Sequence, residues 1–207
     1  MSHSSAEGPP EKKIHETQQL ILQVAQRLFL EQGYRTVSTR QIAAACGLTQ
    51  PALYRHFATK QELYVAVLLQ MLHNLHGRLL RLSERKESMQ VRLHLIAQML
   101  PATWIDARQM FHDIEHELDT THRQDTARAF RQQVIEPIAS LFEDGIAQGL
   151  LRDPSQGGLE PVEATFVLLR LLDDHGIPLT QNHSRLQHAD SMVDVLLHGL
   201  LKQTEAS

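Results

Sequence analysis

The sequence from Ser38 to Leu63 reads STRQIAAACGLTQPALYRHFATKQEL and contains the start signals of short helices. Ser38 and Gln41 have the spacing of a capping box, in which a hydroxyl accepts from the backbone N–H three residues on while the third side chain reaches back. Thr59 and Glu62 repeat this spacing. Each pair therefore predicts the first turn of a helix.

A tight turn and a further helix are predicted between these two signals. Gly47 lies where a helix would end in a left-handed conformation that disfavours other side chains. Thr49 can cap the next helix, and Pro51 falls in its first turn, where a missing N–H costs little. Two helices joined by a glycine turn form a helix-turn-helix, whose second helix enters the DNA major groove. We predict this motif over about residues 38–57.

The second helix of the motif would present polar side chains to solvent. Leu48 and Leu53 can pack beneath it. An amide, a phenol, a guanidinium and an imidazole suit a polyanion whose base edges form hydrogen bonds. The outward-facing residues would be Gln50, Ala52, Tyr54, Arg55 and His56.

A longer string, L-Y-R-H-F-x-x-K-x-x-L from Leu53 to Leu63, follows the glycine turn. This region resembles the TetR family of bacterial transcriptional regulators over roughly residues 13–72. The resemblance implies a three-helix DNA-binding domain, a helical effector-binding body and a homodimer. The matching positions, without a departure, are Gly47, Leu48, Thr49, Leu53, Tyr54, His56, Phe57, Lys60 and Leu63.

Contacts to the DNA backbone are predicted on both sides of the turn. Thr39 and Arg40 would open the first helix of the motif, where a hydroxyl and free backbone amides can hold a phosphate. The resemblance implies that four further residues position the DNA backbone. For Tyr54 the alternative is a packing ring, and for His56 it is a helix end cap. The four are Thr49, Tyr54, His56 and Lys60.

Contacts to the bases are predicted at the start of the second helix. Gln50 can pair with adenine, and Pro51 or Ala52 can touch a thymine methyl group. Arg40 is a further candidate for base reading, and Arg55 is an exposed candidate for DNA binding.

Composition favours an all-helical protein. The chain has 207 residues, only 5% of which are aromatic, and it lacks the alternating pattern of strands. Residues 1–80 hold eight basic and five acidic side chains, whereas the remainder holds twelve and nineteen. The positive N-terminal part would face phosphate, although scattered surface charge could also give this division.

The setting is predicted to be the cytoplasm. The single cysteine, Cys46, excludes an internal disulfide and fits a reducing compartment. No apolar run reaches the length of a membrane span, and the polar start lacks the apolar centre of a signal peptide. We therefore expect no membrane association.

About nine helices in two domains are predicted. Residues 1–12 have the composition of a disordered tail, residues 13–72 would form the DNA-binding domain, and residues 73–207 would form the effector-binding and dimerisation domain. A long fourth helix would start at Thr59 and extend to about residue 82. The first helix would end at Gly33 and bury a stripe of Ile14, Ile21, Val24, Ala25, Leu28 and Phe29.

The C-terminal part would contribute five of these helices. Pro101 is expected to end the first of them, and Pro137 to bend the third. The predicted ranges are about 87–100, 103–119, 123–148, 161–176 and 185–202.

The last two helices suggest the homodimer. Apolar residues surround much of the helix after Pro161 and form a broad surface on the final helix, so a two-fold four-helix interface would bury both. An ordinary monomer core is the alternative. The candidate interface residues are Phe166, Leu169, Met192, Val193, Leu196, Leu197 and Leu200.

An effector cavity is predicted within residues 87–148, although aromatic residues at helical spacing also suit a core. No cofactor is expected apart from this small, mostly apolar effector. The candidate lining residues are Met99, Trp104, Phe111, Phe130 and Phe142.

A metal site is a weaker hypothesis. His112 and His116 have i, i+4 spacing on a helix, which suits a transition metal. They lie among Asp113, Glu115 and Glu117, where a solvated helix face is the simpler interpretation.

Taken together, these patterns predict a transcriptional repressor that binds a palindromic operator in double-stranded DNA and is released by its effector. The alternatives are a DNA-binding protein whose body docks a partner protein, and a histidine-ligated metal-responsive regulator. An enzyme is not expected, because no nucleophile elbow, phosphate-binding loop or HExxH-type string is present.

Overall fold

The computed structural model describes residues 10–172 and 185–201, with the backbone alone at residues 10–11, 101–112 and 185. Within these ranges the chain folds into nine α-helices, so the predicted all-α class is confirmed. An isolated β-bridge joins Leu151 and Leu201. The helices are α1 Pro10–Thr36, α2 Thr39–Ala45, α3 Gln50–Tyr54, α4 Lys60–Ser83, α5 Met89–Glu117, α6 Thr120–Phe130, α7 Glu136–Ala147, α8 Pro161–Leu172 and α9 Arg185–Leu200, with a π-helix at Arg131–Ile135 and a 3₁₀ helix at Pro154–Gln156.

The chain forms two compact units. The first unit comprises the residues up to Gln70 together with Arg108–Thr126, and the second comprises Met71–Ala107 and the residues from Ala127 onward. Helices α4 and α5 each contribute residues to both units. None of the helices over the described residues has the length and apolarity needed to cross a membrane.

The start of α1 differs from the prediction. The helix begins at Pro10, so the predicted disordered tail is wrong for its last three residues, while residues 1–9 lie outside the described ranges. Proline suits this position because the N–H that it lacks would have no acceptor within the first turn of a helix. Ile14 is exposed, like the other described residues of α1 before Thr17, so it is not part of the buried stripe. Gly33, with φ of 78°, breaks the helix near its predicted end.

One helix replaces the two predicted around Pro101. Helix α5 is continuous from Met89 to Glu117, so the predicted end at Pro101 is wrong. Proline removes one backbone hydrogen bond, and no glycine within α5 offers an alternative conformation that would end the helix. Burial of the preceding turns, which include Leu93 and Leu100, favours the continuous helix.

The predicted irregularity near Pro137 is a π-helix. Residues Arg131–Ile135 separate α6 from α7, and Pro137 lies in the first turn of α7. A proline at this position provides no N–H for the carbonyl of Gln133, four residues earlier. His76 Nδ1 lies 3.1 Å from that carbonyl oxygen. Because a carbonyl can only accept, His76 donates this hydrogen bond and satisfies the group that proline leaves free.

The second unit is built on helix packing. Helix α8 packs against both α7 and α9. The core of the second unit includes side chains from α5, α7, α8 and α9. Its described members include Leu93, Ile96, Ile138, Phe142, Leu168 and Val193.

Candidate nucleic-acid interface

The helix-turn-helix has the local geometry that the sequence predicts. Ser38 Oγ accepts from the backbone N–H of Gln41 at 3.2 Å, and Gln41 Oε1 accepts from the N–H of Ser38 at 2.7 Å. Gly47 adopts a φ of +68°, and the Leu48 N–H donates to the carbonyl of Ala43 at 2.8 Å. The bonds at Ser38 cap the start of α2. The bond from Leu48 to Ala43 ends α2 in the Schellman arrangement, and the chain then reverses toward α3.

Helix α3 buries one side and exposes the other. Leu53 is fully buried and anchors the helix in the first unit. The predicted base-reading residues Gln50 and Pro51 are exposed, as is Arg55, and Ala52 is half-buried. Arg40 on α2 is also exposed. The exposed residues at the two ends of α3 therefore offer an amide and a guanidinium to a ligand in solution.

Two of the predicted backbone-positioning residues lie at the ends of α3. Thr49 is exposed, and its Oγ1 accepts from the N–H of Ala52 at 3.3 Å, so it caps the helix as expected. His56 is half-buried just beyond α3, and its backbone N–H donates to the carbonyl of Leu53 at 2.9 Å.

Thr39, a predicted phosphate ligand, lies largely buried. The residue is only 8% exposed, and its Oγ1 accepts from Gln50 Nε2 at 2.9 Å. Tyr54 Oη lies 3.1 Å from the same oxygen, and the Tyr54 residue is 42% exposed. The hydroxyl of Thr39 is therefore used within the protein in this arrangement, and its direct phosphate contact stays a prediction.

Lys60 is likewise held by its own chain. Its Nζ donates to the carbonyl oxygen of Tyr34 and lies 4.1 Å from the centre of the Tyr34 ring. Burial lowers the pKa of Lys60, while the negative charges of Glu117 and Asp113 oppose this shift. The ammonium thus bonds to the backbone just beyond the break at Gly33 and lies over an aromatic ring, where a cation is favourable. The structure does not support the predicted phosphate contact.

A buried carboxylate holds the first unit together, and sequence reasoning missed it. Asp113, on α5, is 5% exposed, so the predicted solvated face is wrong for this residue. Its Oδ2 accepts from Tyr64 Oη and from the backbone N–H of Tyr34, both at 3.1 Å. Burial, followed by the charge of Asp113, raises the pKa of Tyr64, so the phenol stays protonated and donates this bond.

Aromatic rings and a second acidic residue extend this cluster. The Tyr64 ring lies 4.9 Å from that of Phe29 and 4.7 Å from that of Tyr34, measured between centroids. Glu117 pairs with Arg35 at 2.5 Å, and its backbone carbonyl accepts from Gln61 Nε2 at 2.9 Å. The last turns of α5 are therefore bonded to α1 and α4 within the first unit.

The candidate effector residues have different environments. Phe142 is buried in the core of the second unit, while Met99 and Phe130 are half-buried. Trp104 and Phe111 lie outside the described side chains. The structure does not bring these five residues together as one described site.

Most of the candidate dimer residues are in the core of a single chain. Helices α8 and α9 pack against each other and bury five of the seven, so the monomer-core alternative holds for Leu169, Val193, Leu196, Leu197 and Leu200. Met192 is half-buried. Phe166 is 51% exposed, and two residues missed by the sequence analysis are also exposed, namely Val167 at 38% and Val195 at 61%.

The weak metal hypothesis receives no support from the described side chains. No group of three histidine, cysteine or acidic residues among them could hold a metal ion. His116 is exposed, and His112 lies outside the described side chains.

These features define the class of the protein. A capped α2, a glycine turn and a short α3 with an exposed polar face are a helix-turn-helix, and the protein is a DNA-binding transcriptional regulator. Residues 21–67 match the family model described as bacterial regulatory proteins, tetR family. These residues are therefore similar to the DNA-binding domain of that family, and the relatives found are regulators rather than enzymes.

Relatives and solved structures agree with this assignment. The HTH-type transcriptional regulator TtgR of Pseudomonas putida is 26% identical over 167 residues, which cover 78% of this chain and 79% of TtgR. A regulator from Saccharomonospora viridis in complex with choline has a TM-score of 0.73 at 20% identity, covering 91% of this chain and 100% of its own. AibR in complex with isovaleryl coenzyme A and operator DNA has a TM-score of 0.65 at 23% identity, covering 87% and 98%. These two structures support the fold.

Proposed function

We propose that this protein is a repressor that binds a palindromic operator as a homodimer and leaves it when a small, mostly apolar effector binds. The observation that carries the proposal is the exposure of Gln50 and Arg55 at the two ends of α3, while Leu53 is buried. Side chains of this kind can form hydrogen bonds with base edges in the major groove. The proposed DNA-binding domain spans residues 13–72, and the protein would act in the cytoplasm beside the bacterial chromosome.

The DNA contacts fall into two groups. Phosphates would be bound by Arg40 and Tyr54, and by Thr49 and His56 at the two ends of α3, because these groups surround the helix. Bases would be read by Gln50, Pro51 and Ala52. In this scheme Lys60 keeps the end of α1 in place and contributes to DNA binding indirectly. The remaining direct contact is Arg55.

Gln50→Ala is expected to reduce discrimination at one base pair of each half-site by about 1–3 kcal/mol. The amide that pairs with the base is lost, while the neighbouring contacts remain. Binding of the variant to a randomised operator library, followed by sequencing, measures the preference at each position.

Gln18→Ala provides a control, because it removes the same side chain from a different helix, α1. If Gln50→Ala kept the preferences of the wild-type protein at every position, Gln50 would not be a base-reading residue.

The homodimer would use the exposed apolar residues of α8 and α9. Phe166, Val167 and Val195 remain exposed although their neighbours pack within the chain. Two copies related by a two-fold axis would cover these residues and present two α3 helices. Paired half-sites provide the affinity and specificity that one short helix lacks.

Val195→Glu is expected to dissociate the dimer, because it places a charge on each side of the apolar contact without entering the core. Sedimentation equilibrium at micromolar protein concentration should give the monomer mass, while circular dichroism keeps its helical signal. Val91→Glu is the matched control, since Val91 is also exposed but belongs to α5. A variant at position 195 that remains dimeric would place the interface elsewhere.

Effector release requires that the ligand bind the DNA-free arrangement more tightly than the DNA-bound one. The proposed lining remains Met99, Trp104, Phe111 and Phe130, with Phe142 supporting it from the core. The solved structures with choline and with isovaleryl coenzyme A support small-molecule binding within this fold.

The deciding experiment has two stages. Fragments of genomic DNA are first selected on the purified protein, and the selected operator is then screened for release by metabolites and drugs. Failure to enrich any fragment would contradict operator binding. Enrichment followed by release with a partner protein only, or with zinc or nickel only, would favour the two alternative functions.

A further inference from the structure

The hydroxyl of Thr39 joins two side chains that lie one turn apart on α3. Gln50 and Tyr54 have i, i+4 spacing, and both contact the Thr39 Oγ1, at 2.9 Å and 3.1 Å respectively. Thr39 itself is at the start of α2 and is buried. The outer parts of Gln50 and Tyr54 are exposed. A buried hydroxyl therefore connects two groups that face the surrounding solution.

The hydroxyl of Thr39 can accept from one neighbour and donate to the other. The amide nitrogen of Gln50 can only donate, so the Thr39 oxygen accepts from it. The single proton of Thr39 can then be donated to Tyr54 Oη. Hydrogen bonds from Thr39 and Gln50 lower the pKa of Tyr54, as expected for a phenol oxygen that accepts. Either oxygen of the Thr39–Tyr54 pair could be the donor, and where Thr39 donates, the proton of Tyr54 is available to an acceptor outside the cluster.

This arrangement suits a phosphate on one side and adenine on the other. Phosphate oxygens only accept, so a contact with Tyr54 requires the phenol to donate outward. The amide nitrogen of Gln50 bonds to Thr39 and also to Tyr54, which leaves the amide oxygen for a base. Adenine presents an N6 amine in the major groove, and this oxygen can accept from it.

We propose that Thr39 is a positioning residue that prepares Gln50 for a base and Tyr54 for a phosphate at the same time, so that the two DNA contacts are energetically coupled. The inference rests on the proposed function, in which α3 contacts both groups. Loss of either contact leaves the other side chain less well oriented. A mismatch at the base read by Gln50 therefore also weakens the phosphate contact of Tyr54, which increases specificity.

A double-mutant cycle tests the coupling. Gln50→Ala, Tyr54→Phe and the double variant are compared with the wild-type protein for binding to the operator selected by that protein. The two single losses, multiplied together, should exceed the loss of the double variant by about threefold or more. Effects that multiply without such an excess would overturn the inference.

Variants of Thr39 test the role of the hydroxyl. Thr39→Val keeps the shape and removes the bond, and we expect discrimination at the Gln50 base pair to fall from about tenfold to about twofold. Thr39→Ser keeps the hydroxyl and should restore discrimination. Thr17→Val removes a hydroxyl that bonds only to the carbonyl of Lys13 within α1, so it serves as the control.

The outcomes separate this inference from the proposed function. A wild-type protein that selects no operator would overturn both. A protein that selects an operator, but whose Thr39→Val variant keeps the same base preference while remaining folded by circular dichroism, would overturn the role of Thr39 alone. Should Thr39→Val fail to fold, the cycle at Gln50 and Tyr54 decides, because it leaves Thr39 in place.

Discussion

Phe29→Ala is expected to lower the free energy of unfolding by about 3–5 kcal/mol, the range measured for removal of a buried phenylalanine ring. Phe29 is fully buried, and the edge-to-face contact with Tyr64 at 4.9 Å would be lost together with its apolar burial. The cavity would open beside the end of α1, where Lys60 and Asp113 also bond. Operator binding should fall with stability, because these groups support the first unit.

Urea unfolding, followed by circular dichroism, measures this loss. Leu20→Ala is the control on the same helix, because Leu20 is exposed and its removal leaves no cavity. We expect its effect to stay within about 0.5 kcal/mol. A Phe29→Ala variant as stable as Leu20→Ala would show that the aromatic cluster contributes little to the fold.

Asp113→Ala is expected to cost about 3 kcal/mol, because it removes the carboxylate that accepts from one buried and one part-buried donor. These donors are Tyr64 Oη and the backbone N–H of Tyr34, which now bond to Asp113 Oδ2 at 3.1 Å. Lys60 would also lose one of the two negative charges that oppose the lowering of its pKa. Thermal and urea unfolding both measure the change.

Two further variants separate this role from a general effect of charge. Asp113→Asn keeps an acceptor oxygen and should lose less stability than Asp113→Ala. Glu115→Ala removes an exposed carboxylate from the same helix and should have little effect. Equal losses for Glu115→Ala and Asp113→Ala would mean that net charge, rather than the buried bonds, stabilises this part of the protein.

Local signals in the sequence were reliable within the helix-turn-helix. The capping bonds at Ser38 and Thr49, and the left-handed Gly47, form as predicted. These features depend on interactions between residues at most a few positions apart, so the surrounding fold hardly affects them. Pro101 was misleading, because the loss of one hydrogen bond is outweighed by burial along α5.

The functional roles of single residues were harder to predict. Lys60 and Thr39 were predicted to lie near DNA, but the polar groups of both residues form hydrogen bonds within the protein. The partner of Lys60 is Tyr34, on a different helix, and the string around either residue does not indicate this pairing. Gln50 and Tyr54 at i, i+4 spacing were the available signal for the Thr39 cluster.

The sequence by itself determined the helix-turn-helix, the all-helical class and the resemblance to the family, because caps, turns and helical periodicity are local properties of the chain. Only the tertiary structure decided which apolar residues of α8 and α9 remain exposed and which acidic residue of α5 is buried. Burial depends on what packs above a side chain, and residues far apart in sequence supply that cover. For this reason the burial of Asp113 and the exposure of Val195 could not be predicted from the sequence.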